Sequence, residues 1–190
     1  MKLSIPIKKG DVSLEECLEK RRSRRRFTAK ELTWEQISQL LWAGQGISGR
    51  KYRTVPSAGA LYPLEIYMVG GEGVYHYKPE THELEQTTTS DARHQLSRAA
   101  LNQRFIEEAP VDIVIAAVYQ RTERHYRERA VRYVHIEVGH MAQNIHLQAV
   151  ALGLVSVPVG AFHDEQVHET LSLPQNEKPL YIIPVGYAAE

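Results

Sequence analysis

The sequence contains little of what several classes of protein require. Its 190 residues include one cysteine, Cys17, which excludes an intrachain disulfide and a cysteine-based structural zinc site and favours a reducing compartment. No apolar run approaches the roughly 18 residues of a membrane span, and no apolar signal segment follows the first lysines. These absences predict a soluble cytoplasmic protein with a single domain over residues 1–190, in which residues 1–12 form an extended arm.

Several catalytic motifs are also missing. The sequence has no G-x-S-x-G elbow, no Rossmann glycine fingerprint and no Walker P-loop. It has nine histidines, but His135 and His140 are five residues apart, which on a helix places their rings about 140° apart around the axis. We therefore predict no metal site, and a mononucleotide phosphate would have to be held by side chains.

The side chains best suited to that task lie in residues 21–26, here called the arginine segment. Five arginines and Ser23 occupy these six positions. The arginine fork donates paired hydrogen bonds to phosphate, and Ser23 adds a further donor. A module that binds nucleic acid or another anion without a cofactor is the alternative. Lys plus Arg equals Asp plus Glu at 23 each, however, so the broad basic surface that nucleic-acid binding needs is missing.

The order of predicted elements places the arginine segment between two helices. Capping boxes begin these helices at Ser13 and Thr33. A meander of three strands follows residue 64, and a helix capped by Ser90 or Asp91 runs to about Leu101. Further strands are predicted at 111–118, 154–159 and 180–185, and a short helix at 164–171. Strands interleaved with helices predict an α+β or α/β sandwich around a mixed sheet.

The longest predicted helix lies between Thr122 and Leu152, where the sequence has no proline. It carries apolar residues on more than one side, so we expect it to be central and also to face another subunit. One stripe consists of Val131, Val134, Val138, Met141 and Ile145; Ile136, Leu147 and Val150 lie away from it.

Residues 44–63 are predicted to form a loop of small residues. The loop contains four glycines and the sequence from Pro56 to Pro63. Small side chains let the backbone approach a flat ligand and offer amide donors. An ordinary surface loop is the alternative at this point.

Five short motifs occur in the order found in the FMN-dependent nitroreductase superfamily. Over residues 11–187 the chain resembles this superfamily, and most closely its SagB-type dehydrogenase branch. The motifs are Arg21-Arg22-Ser23-x-Arg25-x-Phe27, Pro56-Ser57-Ala58-Gly59-Ala60-Leu61-Tyr62-Pro63, Asn102-Gln103 before Phe105-Ile106-x-x-Ala109-Pro110, Gly139-His140-x-x-Gln143-Asn144, and Val157-Pro158-Val159-Gly160.

The resemblance implies a nitroreductase-like fold, with a mixed, mainly antiparallel sheet between helices and the long helix at a homodimer interface. Two FMN molecules would lie at that interface. By position, the arginine segment would hold the phosphate and ribityl chain, and Arg25 would place a cation at the N1–O2 edge of the flavin. The cofactor-binding residues would be Arg21, Arg22, Ser23 and Arg25, then Pro56, Ser57, Ala58 and Gly59 from the partner subunit, Asn102 and Gln103 at the pyrimidine edge, and Pro158, Val159, Gly160 and Ala161 beside the ring with an amide near N5.

The activity implied is ping-pong hydride transfer from NADH or NADPH through FMN to a small acceptor such as a nitroaromatic or quinone. His125 and Tyr126 stand where the azoline-oxidising members carry Lys-Tyr, and are candidate proton donors. Dehydrogenation of a heterocycle or a peptide-derived substrate is the alternative. The C-terminal Lys and Arg that complete the phosphate site in many nitroreductases have no counterpart here; Arg24, Arg26 or Arg132 is expected to replace them.

Overall fold

A six-stranded sheet lies at the centre of the protein. The computed structural model describes residues 1–49 and 52–190. The strands of this sheet follow the order β5-β4-β3-β6-β8-β7, and all neighbouring strands are antiparallel. They are β3 (Leu64–Gly70), β4 (Gly73–Lys78), β5 (Glu83–Thr88), β6 (Val111–Ala117), β7 (Val155–Ser156) and β8 (Lys178–Gly186), while β1 (Ile47–Ser48) and β2 (Tyr52–Arg53) form a separate hairpin.

Helices cover both faces of the sheet. The seven residues of β6 are all buried, and alternate side chains enter different cores. Ile113 and Ile115 pack in the core that also contains Met141, whereas Val114 packs on the opposite face with Leu96. This arrangement confirms the predicted α+β sandwich. The α-helices are α1 (Leu14–Lys20), α2 (Trp34–Gln45), α3 (Arg93–Ala99), α4 (Arg104–Glu108), α5 (Tyr119–Tyr126), α6 (Ala130–Ala151) and α7 (Asp164–Thr170).

The starts of α1, α2 and α3 show how far local signals decide the structure. At α2, Thr33 accepts from the Gln36 amide and the Gln36 side chain accepts from the Thr33 amide, which confirms the predicted box. At α1, Ser13 accepts from the Glu16 amide as predicted, but Glu16 binds Lys20 instead of reaching back. At α3 the predicted cap, Ser90 or Asp91, is wrong, because Ala92 occupies the N-cap position.

The Ala92 side chain makes no capping hydrogen bond to α3. The carboxylate of Asp91 instead accepts hydrogen bonds from both the amide and the guanidinium of Arg93. The helix ends at Ala99, before the predicted Leu101. The loop predicted at 44–63 contains the β1–β2 hairpin and a short 3-10 turn at Ala58–Ala60; its residues 50 and 51 lie outside the described part of the chain.

The predicted helix between Thr122 and Leu152 is two helices. Arg127 adopts a left-handed φ of 49°, and a short 3-10 turn, Arg127–Arg129, separates α5 from α6. The apolar stripe along α6 is buried at Val134, Val138, Met141 and Ile145, but Val131 is 47% exposed. The strand predicted at 154–159 is also shorter, since β7 covers two residues and Val159 forms an isolated bridge to Ile182. Within the described residues, no helix is long and apolar enough to cross a membrane.

Candidate functional site

The arginine segment lies beside the edge strand β7 and is joined to it by an isolated bridge. Ser23 forms a parallel bridge with Ser156 of β7, and the Arg24 amide donates to the Ser156 carbonyl at 3.1 Å. On its other side, the amide of Ala189 donates to the Arg26 carbonyl at 3.1 Å. The segment presents cations in two directions, since Arg21, Arg22 and Arg24 line one groove and Arg25 lies near the Phe105 ring.

A groove of about 510 Å³ opens beside this segment, between the last turn of α6 and the end of the chain. Arg21, Arg22 and Arg24 line it, and we call it the cationic groove. Arg22 donates to the carbonyls of Glu19 and Arg21, which fixes its guanidinium close to the backbone. Lys20 and Glu190 also line the groove, but Lys20 is paired with Glu16.

The next cation along the segment, Arg25, points toward the turn between α3 and α4. Its guanidinium carbon lies 5.9 Å from the centre of the Phe105 ring. Phe105 belongs to α4, which begins directly after Asn102 and Gln103. The structure therefore places Arg25 beside the helix that follows the two amide residues, which the family resemblance assigns to the pyrimidine edge.

A side-chain hydrogen bond joins the turn at residues 102–103 to residues 158–161. The Gln103 side-chain amide donates to the carbonyls of Ala100 at 2.9 Å and Ala161 at 3.1 Å. Its nitrogen is thus committed to the backbone, and its oxygen remains as an acceptor. Asn102 is exposed and adopts a left-handed φ of 59°. Three separate stretches of sequence, 21–25, 102–103 and 158–161, therefore meet at one edge of the domain.

The backbone amides of residues 158–161 differ in what they can offer a ligand. The Val159 amide donates to the Ile182 carbonyl at 2.8 Å, so it is already used. Pro158 has no amide hydrogen. Gly160 and Ala161 are exposed, and within residues 1–49 and 52–190 their amides donate no hydrogen bond. An amide contact from this stretch would therefore come from Gly160 or Ala161.

The part of the predicted loop from Pro56 to Pro63, here called the small-residue loop, lies away from this edge. The Ser57 hydroxyl accepts from the Tyr62 amide at 2.9 Å, which closes the turn around Gly59. A Cβ placed on Gly59 would lie 3.0 Å from the hydroxyl oxygen of Tyr126. Tyr126 therefore lies directly against this loop, with its ring perpendicular to that of Tyr133 at 4.9 Å. His125 is exposed beside it.

The long helix α6 separates this loop from the arginine segment of the same chain. Glu137, on α6, lies close enough to Ser57 of the loop for the serine hydroxyl to act against the rise in the pKa of its carboxyl. His146 lies nine residues farther along α6, and its Nδ1 is 2.7 Å from the hydroxyl of Ser156, the partner of Ser23. Nine residues of helix span about 14 Å. The predicted site residues thus form two groups at different levels of α6, and one chain does not bring them together.

Two buried titratable side chains accompany these groups, and the sequence did not single them out. Glu137 is 3% exposed, and burial raises the pKa of its carboxyl to about 7. His146 is 4% exposed; burial, with a smaller contribution from the nearby charge of Arg21, lowers the pKa of its imidazole to about 4. Both lie on a helix whose pattern is apolar, and only the folded chain shows what they contact.

A larger cleft of about 780 Å³ lies on the other side of the small-residue loop, next to Tyr62. Its basic side chains are already paired: Arg53 with Glu80, Lys78 with Glu85 and Arg121 with Glu65. The cleft therefore offers less to an anionic ligand than the cationic groove does. In the described part of the chain, no group of three or more metal-binding side chains is placed to hold a metal ion.

The architecture defines a nitroreductase-like α+β domain. The crystal structure of a nitroreductase-type protein from Ralstonia eutropha JMP134 superimposes with a TM-score of 0.89 at 29% identity, and the match covers 100% of this chain and 89% of that one. The order of the strands and the position of α6 are thus those of a known fold.

The sequence comparisons identify the family. The profile of the nitroreductase family matches residues 18–187, and a protein of Methanocaldococcus jannaschii named as a nitroreductase is 47% identical over 187 residues, 95% of this chain and 93% of its own length. The chain therefore belongs to the nitroreductase family of oxidoreductases.

Two further relatives have names that state an activity. The NADPH-flavin oxidoreductase of Vibrio harveyi is 29% identical over 175 residues, 87% of this chain and 62% of that protein. The microcin B17-processing protein McbC of Escherichia coli is 28% identical over 138 residues, 67% of this chain and 51% of McbC. The chain thus spans about half to two thirds of these two proteins.

Proposed function

We propose that this protein is an FMN-dependent oxidoreductase that acts as a homodimer and transfers hydride from NADH or NADPH to a small electrophilic acceptor such as a nitroaromatic or a quinone. The observation that carries the proposal is the meeting of the arginine segment, the 102–103 turn and the 158–161 backbone at one edge of the domain. The similarity to an NADPH-flavin oxidoreductase supports the same chemistry.

The donor set at this edge fits FMN. A phosphate needs charged, multidentate donors, and Arg21, Arg22 and Arg24 line one groove. Of Arg24, Arg26 and Arg132, the three arginines that we expect to add to the phosphate site, Arg24 lines the groove and Arg26 does not. When bound, FMN supplies the hydride exchange itself.

The remaining residues of the site would orient the ring and set its charge. Arg25 would hold a fixed positive charge where reduction places negative charge, which favours acceptance of a hydride. The Gln103 oxygen and the Asn102 amide would bind the pyrimidine edge, and the Gly160 or Ala161 amide would donate to the side of the ring that carries N5. None of these roles needs a side-chain nucleophile.

A second copy of the chain would complete the site. Ile136, 49% exposed, begins a stripe on α6 that continues at spacings of four and three through His140, Gln143, Leu147 and Val150, all exposed or half-buried. A two-fold axis near the middle of this stripe would pair α6 antiparallel with its mate. The 137 level of one chain would then face the 146 level of the other, so that residues 56–59 reach the partner's arginine segment.

A mixing experiment tests the shared site. Arg25→Ala would remove a cation from one chain, and Ala58→Trp would block the loop that the chain presents to its partner. Each variant alone would lose activity. After the two are mixed and allowed to exchange subunits, half of the dimers are mixed and each holds one intact site, so about a quarter of the wild-type activity should return. If both elements serve the same chain's site, mixing will restore nothing.

His125 and Tyr126 are proposed as proton donors to the acceptor, because Tyr126 lies against the small-residue loop that would face the partner's flavin. Tyr126→Phe should lower the rate with an acceptor that takes up a proton and leave reduction by NADPH unchanged. An equal loss in both half-reactions would remove Tyr126 from this role.

Dehydrogenation of a heterocycle or a peptide-derived substrate is the second candidate. The similarity to McbC, a microcin-processing protein, favours it. The His125-Tyr126 pair, where azoline-oxidising relatives carry Lys-Tyr, argues against azoline oxidation. Incubation of the FMN-loaded protein with a peptide azoline separates the two: formation of the azole would support the dehydrogenase.

A further inference from the structure

The cleft of about 780 Å³ beside Tyr62, here called the outer cleft, has the volume of a small-molecule site, for which about 300–1,000 Å³ is usual. Its lining includes Tyr67 of β3, His76 of β4 and Glu177, which directly precedes β8. Tyr67 packs in the core on the face of the sheet opposite to α6. The described lining residues include none of the groups that meet at the edge proposed to hold FMN. The outer cleft is therefore a separate place on the domain.

The hydrogen bonds of His76 fix its charge. The Lys78 ammonium nitrogen lies 2.8 Å from Nδ1 of His76, and an ammonium group can only donate. Nδ1 therefore accepts, and the proton of the ring is on Nε2. Nε2 in turn donates to the carboxylate of Glu65 at 2.7 Å. His76 is thus a neutral bridge between Lys78 and Glu65 and adds no positive charge to the outer cleft.

The ion pairs of the outer cleft leave one carboxyl group over. Each of its cations in the described part of the chain is matched by a carboxylate: Arg53 by Glu80, Lys78 by Glu85 and Arg121 by Glu65. Glu177 is the fourth carboxyl, and it is 5% exposed. Its Oε2 accepts from the Tyr67 hydroxyl at 2.9 Å, whereas its Oε1 accepts no hydrogen bond from residues 1–49 and 52–190. Burial raises the pKa of this carboxyl, as expected for an anion with too few donors around it.

We propose that the outer cleft binds a small organic amine, whose protonated amino group donates to the free oxygen of Glu177. The N–H groups of an ammonium supply the charge-assisted hydrogen bond that this oxygen lacks. A hard metal ion needs six or so oxygen ligands at once, whereas Glu177 offers one free oxygen and both oxygens of Glu65 are already bound.

The remaining volume and charge of the outer cleft favour a diamine. A single ammonium group fills a small part of about 780 Å³, so a carbon chain can follow it into the cleft. Glu80 and Glu85, two exposed carboxylates on the same lining, attract a second ammonium at the other end of that chain. Cadaverine, a five-carbon diamine, is therefore a suitable probe.

Titration of the purified protein with cadaverine, followed by the NMR shifts of its backbone amides and by calorimetry, tests the proposal. We expect saturable shifts at Tyr67, His76 and Glu177. Glu177→Gln keeps an oxygen for the Tyr67 hydroxyl but removes the charge, and it should weaken binding about 10- to 100-fold. Glu165→Gln, at an exposed position on α7, removes a carboxylate outside the cleft and should bind as the wild type does. Pentanediol of the same length has no ammonium group and should not bind.

Three results would overturn the proposal: no saturable shift with cadaverine, equal affinity of the wild type and Glu177→Gln, or equal binding of cadaverine and pentanediol. The shifts of the wild type decide the place of binding without any variant, so a poorly folded Glu177→Gln would not leave the question open. The test does not depend on the proposed oxidoreductase function, because it needs neither FMN nor a nicotinamide. A protein that binds no flavin could still bind the amine, and the reverse also holds.

Discussion

The buried imidazole of His146 links the stability of the protein to pH. Its Nδ1 contacts the Ser156 hydroxyl at 2.7 Å, directly behind the arginine segment, and burial together with Arg21 lowers the pKa of the ring to about 4, against 6.5 for a free histidine. The unfolded chain therefore binds a proton in a pH range where the folded chain does not. The stabilisation is complete above pH 6.5 and is lost as the pH falls toward 4.

The size of this effect follows from the two pKa values. One pKa unit corresponds to about 1.4 kcal/mol, so the change from 6.5 to 4 is worth about 3 kcal/mol of unfolding free energy. His146→Asn keeps a polar group near Nδ1 but does not titrate. We expect urea unfolding curves of the wild type to lose about 3 kcal/mol more than those of this variant as the pH falls from about 7 to about 4.

The difference between the wild type and His146→Asn cancels what every other titratable group contributes to the pH dependence of stability. One of these groups is Glu137, whose effect has the opposite sign. His94→Asn, at an exposed position on α3, removes a histidine without touching the buried one and serves as the control. Parallel curves of stability against pH for the wild type and His146→Asn would refute the assignment of a neutral buried imidazole behind the arginine segment.

Four further predictions concern single residues. The pKa of Glu137 is raised from 4.5 to about 7, so its ionisation should cost the fold about 3 kcal/mol as the pH rises through this interval, and Glu137→Gln should flatten that part of the curve in urea unfolding. Arg25→Ala should weaken FMN binding roughly 10- to 100-fold in fluorescence titrations. An equal loss in the Arg26→Ala control would contradict the claim that Arg25 has a specific place in the flavin site. Gly186→Ala should lower unfolding free energy by about 1–3 kcal/mol, because the added Cβ would lie 2.8 Å from the Pro110 ring, and unchanged stability would mean that the ring moves aside. Ile145→Ala, at a fully buried position on α6, should cost about 2–5 kcal/mol, and a loss below about 1 kcal/mol would argue against its central position.

Local signals in the sequence were sufficient where the interaction is itself local. The capping box at Thr33 joins residues three apart, and both of its hydrogen bonds are present. The nearly continuous apolar run of β6, interrupted at Asp112, predicted a buried strand, and helices do cover both faces of the sheet there. The break between α5 and α6 could not be foreseen, since the left-handed residue there is Arg127 and neither glycine nor proline marks the position.

The candidate site depended more on the family resemblance than on local pattern. Residues 21–25, 102–103 and 158–161 are far apart in sequence, and only tertiary packing brings Arg25 to Phe105 and Gln103 to Ala161. The buried polar residues escaped prediction for a related reason. Glu137 and His146 follow the helical pattern as ordinary polar positions, and their burial depends on what α2, β7 and the small-residue loop place over them.

The visible absorbance spectrum of the purified protein, recorded before and after addition of NADPH, tests the central claim most directly. The account predicts oxidised flavin bands, either as isolated or after incubation with FMN, that bleach when the nicotinamide is added. A colourless protein that takes up no added FMN would contradict it, and would leave the arginine segment as the anion-binding surface of a protein that works without a cofactor.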